Sequence, residues 1–202
     1  MRLKDKIVIV AAILLFMANS GTSEIIDKEK EISSLLKAAQ NFRETKQFDK
    51  EVENYKKALE LDPKNAELYV LLGNAYYYEM SKLSEAMQAY SKATFLDPKN
   101  IQAHIGIGTY FEIINQFNAA FDEYKKASEI NPNLPLPHKK MGFILNDMEK
   151  YDEAITELKK AIELNPKDAD THLMLSTIYE SKGLNKEAKE EMGVYRRLKG
   201  IQ

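Results

Sequence analysis

Three histidines have the side-chain type of a metal site and a regular spacing. His104, His138 and His172 follow one another at intervals of 34 residues. The ligands of one zinc ion each lie about 2 Å from the metal, whereas equivalent atoms on neighbouring helices lie about 10 Å apart. We therefore interpret the interval as the period of a repeated structural unit in which each histidine is packed. The sequence predicts no metal site and no cofactor.

A pair of glycines has the beginning of a nucleotide-binding motif. Gly106-Ile107-Gly108 would open a G-x-G-x-x-G phosphate loop, but Phe111 stands where the third glycine is required. The patterns G-x-S-x-G, H-E-x-x-H and G-x-x-x-x-G-K are all absent from the sequence. Because the chain has no cysteine, thiol nucleophiles and cysteine-ligated metals are excluded as well. The sequence therefore predicts a protein that is not an enzyme.

The composition is that of a folded chain without a dominant charge. Among the 202 residues, 44% are hydrophobic and 30% are charged, which favours a folded protein over a disordered one. The 29 basic and 31 acidic residues give a formal net charge of −2, so no global positive field is available to attract nucleic acid. We therefore predict no nucleic-acid partner.

The amino-terminal residues have the order of an export signal. A cationic start is followed by an unbroken apolar run at 7–18 and then by small polar residues. Twelve helical residues are about 18 Å long, whereas a spanning helix must cross about 30 Å of hydrocarbon. We predict that residues 1–20 form a signal peptide cleaved after Ser20, followed by a short linker at 21–31, with an uncleaved membrane anchor as the alternative. The rest of the chain is then periplasmic or extracellular, or is anchored to the membrane by residues 7–18.

Self-similarity dominates the sequence from residue 32 onward. Four prolines recur at intervals of 35, 34 and 34 residues, each preceded by Asp or Asn and, five positions earlier, by Ala: Pro63, Pro98, Pro132 and Pro166. When each proline is set at position 32 of a 34-residue unit, the chain divides into five units: 32–65, 66–100, 101–134, 135–168 and 169–202. The second unit carries one inserted residue, which we place in the turn at 79–83.

Each unit contains two amphipathic helical patterns separated by a turn. Small residues recur at fixed positions and allow the two helices to approach closely. They are glycine at position 8 and alanine at position 20: Gly73, Gly108 and Gly142, and Ala86, Ala120, Ala154 and Ala188. The proline at position 32 cannot continue the second helix, because it lacks an N–H. The sequence therefore predicts an all-α protein built from helix pairs.

This pattern resembles the tetratricopeptide repeat, whose units carry small residues at positions 8, 20 and 27, large apolar ones at 4, 11 and 24, and proline at 32. The third unit fits best, with Ile107, Gly108, Phe111, Ala120, Tyr124, Ala127 and Pro132 in place. The resemblance extends over the region 32–202, and the terminal units are atypical, as expected of a repeat array. It implies a right-handed superhelical solenoid of antiparallel helix pairs. Its concave face, lined by the first helices, would bind an extended peptide or a partner's helix.

The resemblance also indicates which side chains face that groove. Positions 2, 5, 9, 12 and 13 of the first helices supply the candidate partner-binding residues: Val70, Asn74, Tyr77, Tyr78, Ile105, Thr109, Lys139, Phe143 and Asn146. Clustered apolar side chains on a surface favour a protein-binding site. Chaperone-binding members of the family hold a carboxylate with lysines and asparagines at set positions. Counted from the second unit, only Asn74 and Lys140 match that clamp, so we do not predict it.

The sequence therefore predicts an exported, non-enzymatic scaffold or adaptor whose partner is a protein or peptide. The alternative is a membrane-anchored structural component of an envelope complex that binds through its ends or its convex face. A membrane is a partner only if the amino-terminal segment is retained. Because no capping helix follows the fifth unit, self-association through the carboxy-terminal unit is a further hypothesis.

Overall fold

The computed structural model describes residues 25–79 and 81–201. These residues form ten helices and one π-helical turn. The first helix, α1, covers residues 25–44. The others are α2 (Phe48–Leu61), α3 (Ala66–Asn74), which continues into the π-helical turn (Ala75–Glu79), α4 (Leu83–Leu96), α5 (Ile101–Ile113), α6 (Phe117–Ile130), α7 (Pro135–Asp147), α8 (Tyr151–Leu164), α9 (Ala169–Ser181) and α10 (Asn185–Lys199). The predicted signal peptide at 1–20 lies outside the described residues.

Consecutive helices pack as antiparallel pairs, one pair in each 34-residue unit. The closest packing joins α3 with α4, α5 with α6, α7 with α8 and α9 with α10. Second helices also pack on the first helix of the following unit, and first helices touch each other, as α3 touches α5 and α7 touches α9. The predicted right-handed superhelical solenoid is confirmed. The first helices form one layer of it and the second helices form the other.

Helix α1 begins before the first predicted unit. Residues 25–31, which the sequence assigns to a linker, are helical and exposed, and they continue directly into the unit that begins at residue 32. Among the described helices, none has both the length and the hydropathy of a membrane-spanning segment.

The turns inside the units share one backbone geometry. After α5, Asn115 has a left-handed φ of 58°, and the amide of Gln116 donates to the carbonyl of Phe111, 2.8 Å away. Equivalent left-handed residues close the first helix of the other units: Lys46, Ser81, Glu149 and Gly183. This bond from the residue after the left-handed position to a carbonyl five residues back satisfies the end of the helix.

The second unit departs from this geometry because of its inserted residue. There the amide of Lys82 donates to the carbonyl of Tyr76, six residues back, at 2.8 Å. The extra residue is absorbed in the π-helical turn Ala75–Glu79, at the end of the first helix rather than in the turn that follows it. Our placement of the insertion at 79–83 is therefore one helical turn too late. A π-helical turn widens the helix and changes the direction of the side chains beyond it.

Glycines let aromatic rings of the second helices enter the layer of first helices. A Cβ built on Gly73 would lie 2.6 Å from the ring of Tyr90, and one built on Gly106 would lie 2.6 Å from its other edge. The ring of Tyr124 approaches Gly108 in the same way. Both glycines of the rejected phosphate-loop motif therefore serve packing, because each receives a tyrosine ring.

Candidate functional site

A depression between α3 and α5 collects five of the nine predicted groove residues. Its lining consists of Asn74, Tyr77, Tyr78, Tyr90, Gln102, Ile105, Gly106 and Thr109. Its enclosed volume of about 20 Å³ has room for one water molecule or for the tip of a side chain. We call the exposed and half-buried surface of α3, α5, α7 and α9 the groove, and this depression lies in it between the second and third units.

The π-helical turn divides the tyrosines of the second unit between core and surface. Tyr77 is half-buried and packs against Tyr90, Ala86 and Ile107. Burial raises its pKa, helped by the nearby tyrosine and by a carboxylate of α5. Tyr78, in contrast, is 70% exposed and meets Tyr77 edge to face, with the ring centroids 4.5 Å apart. The side chain available to a partner is therefore Tyr78, whereas Tyr77 supports it.

A hydrogen bond fixes the polar side of the depression. The hydroxyl of Tyr90 donates to Oδ1 of Asn74 at 2.7 Å. The ring of Tyr90 is held between Gly73 and Gly106, so its position is set by the backbone on both sides. Burial raises the pKa of Tyr90 far above its usual value, so its hydroxyl remains a donor at any physiological pH. The Asn74 amide is thereby held in one orientation at the groove surface.

A second polar network continues the groove toward the fourth unit. The hydroxyl of Tyr124 lies 2.8 Å from Oε2 of Glu112 and 3.0 Å from Oγ1 of Thr109. Nζ of Lys140 donates to both carboxylate oxygens of Glu112, at 3.0 Å each. Burial raises the pKa of Tyr124, so this hydroxyl also stays protonated. The network ties the first helices of the third and fourth units together across the groove.

Lys139 forms a third ionic contact, between the fourth and fifth units. Its Nζ lies 2.8 Å from Oδ2 of Asp168 and 3.8 Å from Oδ2 of Asp170, and 5.6 Å from the centre of the Phe143 ring. Partial burial would raise the pKa of Asp168, but hydrogen bonds from Lys139 and Thr171 outweigh it, and the pKa is lowered. Lys139 is thus already occupied by carboxylates of the same chain.

The structure does not place every predicted residue in the groove. Val70 is 1% exposed and packs in the core with Ala93 and Ala103, so its assignment to the groove is wrong. The small side chain of Ala103 lets α5 come close enough to cover it. Phe143 and Asn146 are half-buried on α7 and do not line the depression at Tyr78.

The histidines are packed, and each also has a partner that sequence reasoning missed. In each histidine, Nδ1 contacts a glutamate oxygen. The distance from His104 Nδ1 to Glu123 Oε2 is 2.6 Å, from His138 to Glu157 2.7 Å, and from His172 to Glu191 2.5 Å. Each pair joins the two helices of one unit. The available signal was the glutamate that follows every histidine by 19 residues. Within 25–79 and 81–201, no three His, Cys, Asp or Glu side chains are grouped as a metal site would require.

Comparison with protein families decides what this repeat is. A family model described as TPR repeat matches residues 39–78 and 144–183, and one described as tetratricopeptide repeat matches 66–100. Together these matches cover half of the chain. The chain belongs to the tetratricopeptide repeat family. Repeats of this family typically form non-catalytic scaffolds for protein interaction, and no family of enzymes is indicated.

Solved structures with this fold include several bacterial proteins. MamA from Desulfovibrio magneticus RS-1 is 17% identical, with a TM-score of 0.74 over 84% of this chain and 95% of that one. PilF of Pseudomonas aeruginosa is 17% identical, with a TM-score of 0.76 over 85% of this chain and 78% of that one. YrrB, described as a TPR protein with an unusual peptide-binding site, is 24% identical, with a TM-score of 0.67 over 87% and 91%. At these identities the likeness shows the fold alone. Comparison with curated protein sequences gives no match.

Proposed function

We propose that this tetratricopeptide repeat protein is an exported scaffold or adaptor that holds a segment of a partner protein in the groove across units two to four. The observation that carries the proposal is Tyr78, a 70% exposed aromatic side chain beside a depression with fixed hydrogen-bonding groups. Aromatic side chains at the edge of a preorganised pocket are typical anchors of protein interfaces. The proposal assigns no catalytic activity to the groove.

The polar groups of the groove support binding of a protein rather than of a small molecule. Asn74 and Thr109 are held by tyrosine hydroxyls from the second helices, so they lose little freedom when a partner binds. The depression at Asn74 is too small to enclose a drug-sized ligand, which needs at least about 300 Å³, and the larger depression of about 410 Å³ beside Tyr78 and Ile113 is open to solvent rather than enclosed. An extended segment that rests on the surface and inserts one side chain fits this shape.

The experiment that tests the groove compares two exposed aromatic residues. Tyr78→Ser changes the groove, and Phe95→Ser changes a 76% exposed ring in the last turn of α4, a second helix. Partners are captured by crosslinking from native envelope material with each variant, after circular dichroism has shown that both remain folded. We expect Tyr78→Ser to lose the partner and Phe95→Ser to retain it. Equal retention by both variants would contradict a groove site.

Export is the second part of the proposal, and it rests on the sequence of residues 1–20. The intact mass of the protein isolated from its cells distinguishes the two forms. A mass that lacks residues 1–20 means release after cleavage, as we propose. A full-length mass confined to the membrane fraction would instead mean that residues 7–18 anchor the protein.

A membrane-anchored structural component that binds through its ends is the second candidate function. Its support is the apolar surface at the two ends of α10, where Leu184, Leu198 and Ile201 are between 37% and 51% exposed. Self-association through this end would cover those side chains. Molar mass measured by light scattering at high concentration, for the wild type and for Leu198→Glu, tests it. A monomer in both proteins would contradict self-association.

A further inference from the structure

Carboxylates recur at the ends of the first helices in the second half of the array. Glu112, Asp147 and Glu180 lie in the last turns of α5, α7 and α9. The carboxy-terminal end of a helix carries the negative end of its dipole, so an acidic side chain there is unfavourable for the isolated helix. None of these three last turns contains a basic residue. The three units thus share an unfavourable charge at the same edge of the groove.

Two of these carboxylates have no cation of their own. Glu112 is neutralised by Lys140, whereas Asp147 and Glu180 are exposed and, within the described part of the chain, have no Lys, Arg or His in an ion pair. The nearest polar contact of Asp147 is the amide of Asn146, at 3.3 Å. Glu180 occupies the same position of its unit as Glu112, so it belongs to the same row. The two carboxylates remain available to a cation from another molecule.

The lysines of the groove are in the opposite situation. Lys139 is bound by Asp168 and Asp170, and Lys140 is bound by Glu112 through two hydrogen bonds. An acidic partner would have to displace carboxylates that the fold already holds against these lysines. The surplus charge that the groove offers in units four and five is therefore negative.

Apolar surface lies at the other end of the same row. Tyr78 and Ile113 are 70% and 44% exposed, and they share a depression of about 410 Å³ with Tyr77, Ser81 and Leu83. Ile113 and Asp147 occupy the same position in consecutive units. Because Lys140 neutralises Glu112, the row changes from apolar in units two and three to acidic in units four and five.

We propose that the partner segment is extended and carries one apolar side chain followed by two basic ones, and that these three side chains face units three, four and five in turn, with Tyr78 of unit two beside the first. The apolar side chain contacts Tyr78 and Ile113, and the basic ones contact Asp147 and Glu180. This proposal rests on the proposed function, because it names the partner of the same groove, and it extends the contact from units two to four into unit five. Neighbouring first helices are about 10 Å apart, and an extended chain in the polyproline II conformation rises about 3.1 Å per residue with three residues per turn, so every third side chain faces the same side. The three side chains are therefore about three positions apart in the partner.

Synthetic peptides test this pattern directly. The probe is a fluorescein-labelled peptide in which Leu, Lys and Lys follow one another at every third position in a Gln and Ser background. Two control peptides replace both lysines by Gln or by Glu. Fluorescence anisotropy with the full chain should show binding of the Lys peptide, weaker binding of the Gln peptide and least binding of the Glu peptide. Because exposed ions are screened, high salt should reduce the difference.

A pair of double variants locates the charges. Asp147→Asn with Glu180→Gln should weaken binding of the Lys peptide about fivefold, the effect of two exposed ion pairs of ordinary strength. Glu60→Gln with Glu163→Gln removes two exposed carboxylates from the last turns of second helices and should change nothing. All four side chains are exposed, so neither double variant alters the core.

Each contrary result is informative. Equal affinity for the Lys and Gln peptides, or no binding of any peptide, overturns the basic pattern. The basic pattern is also overturned if Glu60→Gln with Glu163→Gln weakens binding as much as Asp147→Asn with Glu180→Gln does. The groove itself is judged separately by the Tyr78→Ser and Phe95→Ser comparison, so loss of the charge pattern leaves the proposed function standing when that comparison succeeds.

Discussion

Gly106 is the residue at which the packing of the groove can be tested most sharply. A Cβ on this residue would lie 2.6 Å from Cε2 and Cζ of Tyr90 and 2.7 Å from Cδ2. The ring cannot retreat, because its opposite edge is already against the backbone at Gly73. Replacement of Gly106 by alanine therefore forces a shift of the ring or of helix α5.

The expected magnitude follows from two opposing effects. Overpacking a well-filled interior costs about 1–3 kcal/mol, and contact with three ring atoms places this site near the upper value. Alanine is favoured over glycine inside a helix by about 1 kcal/mol. Gly106→Ala should therefore reduce the free energy of unfolding by about 2 kcal/mol. The displaced Tyr90 hydroxyl should also release the Asn74 amide.

Gly193 provides the matched control. It lies inside α10, and a Cβ there would meet no atom within 4 Å. Gly193→Ala should therefore raise the free energy of unfolding by about 1 kcal/mol, since only the helix propensity changes. Urea unfolding followed by circular dichroism measures both variants. A Gly106→Ala protein as stable as Gly193→Ala would refute the reasoning.

A double-mutant cycle assigns the cost to the ring. In a Tyr90→Val background the ring is absent, so Gly106→Ala should no longer destabilise the protein. The difference between the two backgrounds should be about 3 kcal/mol, the overpacking cost alone. If Gly106→Ala destabilises the Tyr90→Val protein as much as it destabilises the wild type, the cost does not come from contact with the ring of Tyr90.

Three further predictions concern the turns and the ionic contacts, and urea unfolding measures each of them. Gly183→Ala places a Cβ at a φ of 73° in open space, so it should cost about 1 kcal/mol from backbone strain alone; no loss would contradict that origin. Arg43→Ala should reduce the free energy of unfolding by about 2 kcal/mol, because it removes the guanidinium that lies 2.8 Å from the carboxylate of the fully buried Glu51. The partial exposure of Arg43 keeps the cost below that of a fully buried pair, and Glu51→Ala should cost less. For Asp168, whose pKa is lowered, the stabilising charge is present above the ordinary value of 3.8 and is lost as the pH falls through the lower folded value. The stability difference between wild type and Asp168→Asn should therefore shrink below that pH, and a constant difference would contradict the assignment.

The repeat and its helix pairs could be predicted from the sequence, because they depend on spacing. Proline and small residues at fixed positions define where helices end and where they touch, and the structure shows one helix pair in each unit. The interval between the histidines was correctly attributed to the repeat. Spacing fails only where one unit departs from the others.

The details of the groove depend on contacts that spacing does not contain. Whether Val70 is covered depends on the size of Ala103 in the next unit, and the equivalent Ile105 remains half-buried. The place of the inserted residue depends on which carbonyl the amide of Lys82 reaches, and the repeat spacing does not specify that bond. Gly106 is the signal in the sequence that indicates the depression. The repeat pattern requires no glycine at this position, and the close approach of the Tyr90 ring accounts for it.

The contacts of the histidines with the preceding unit are not the same at every boundary of the array. Nε2 of His104 and His172 lies 3.0 and 3.1 Å from the carbonyls of Pro98 and Pro166, whereas the buried Nε2 of His138 has no hydrogen-bond partner among the described residues. In a linear array, stability is a sum of units and of the interfaces between neighbours. The boundary between the third and fourth units therefore lacks the contact from a histidine to a proline carbonyl that two other boundaries have. There the polar contact between the units is the Lys140–Glu112 pair on the groove side, so this coupling relies on a partly exposed ion pair, which salt screens, rather than on a buried hydrogen bond.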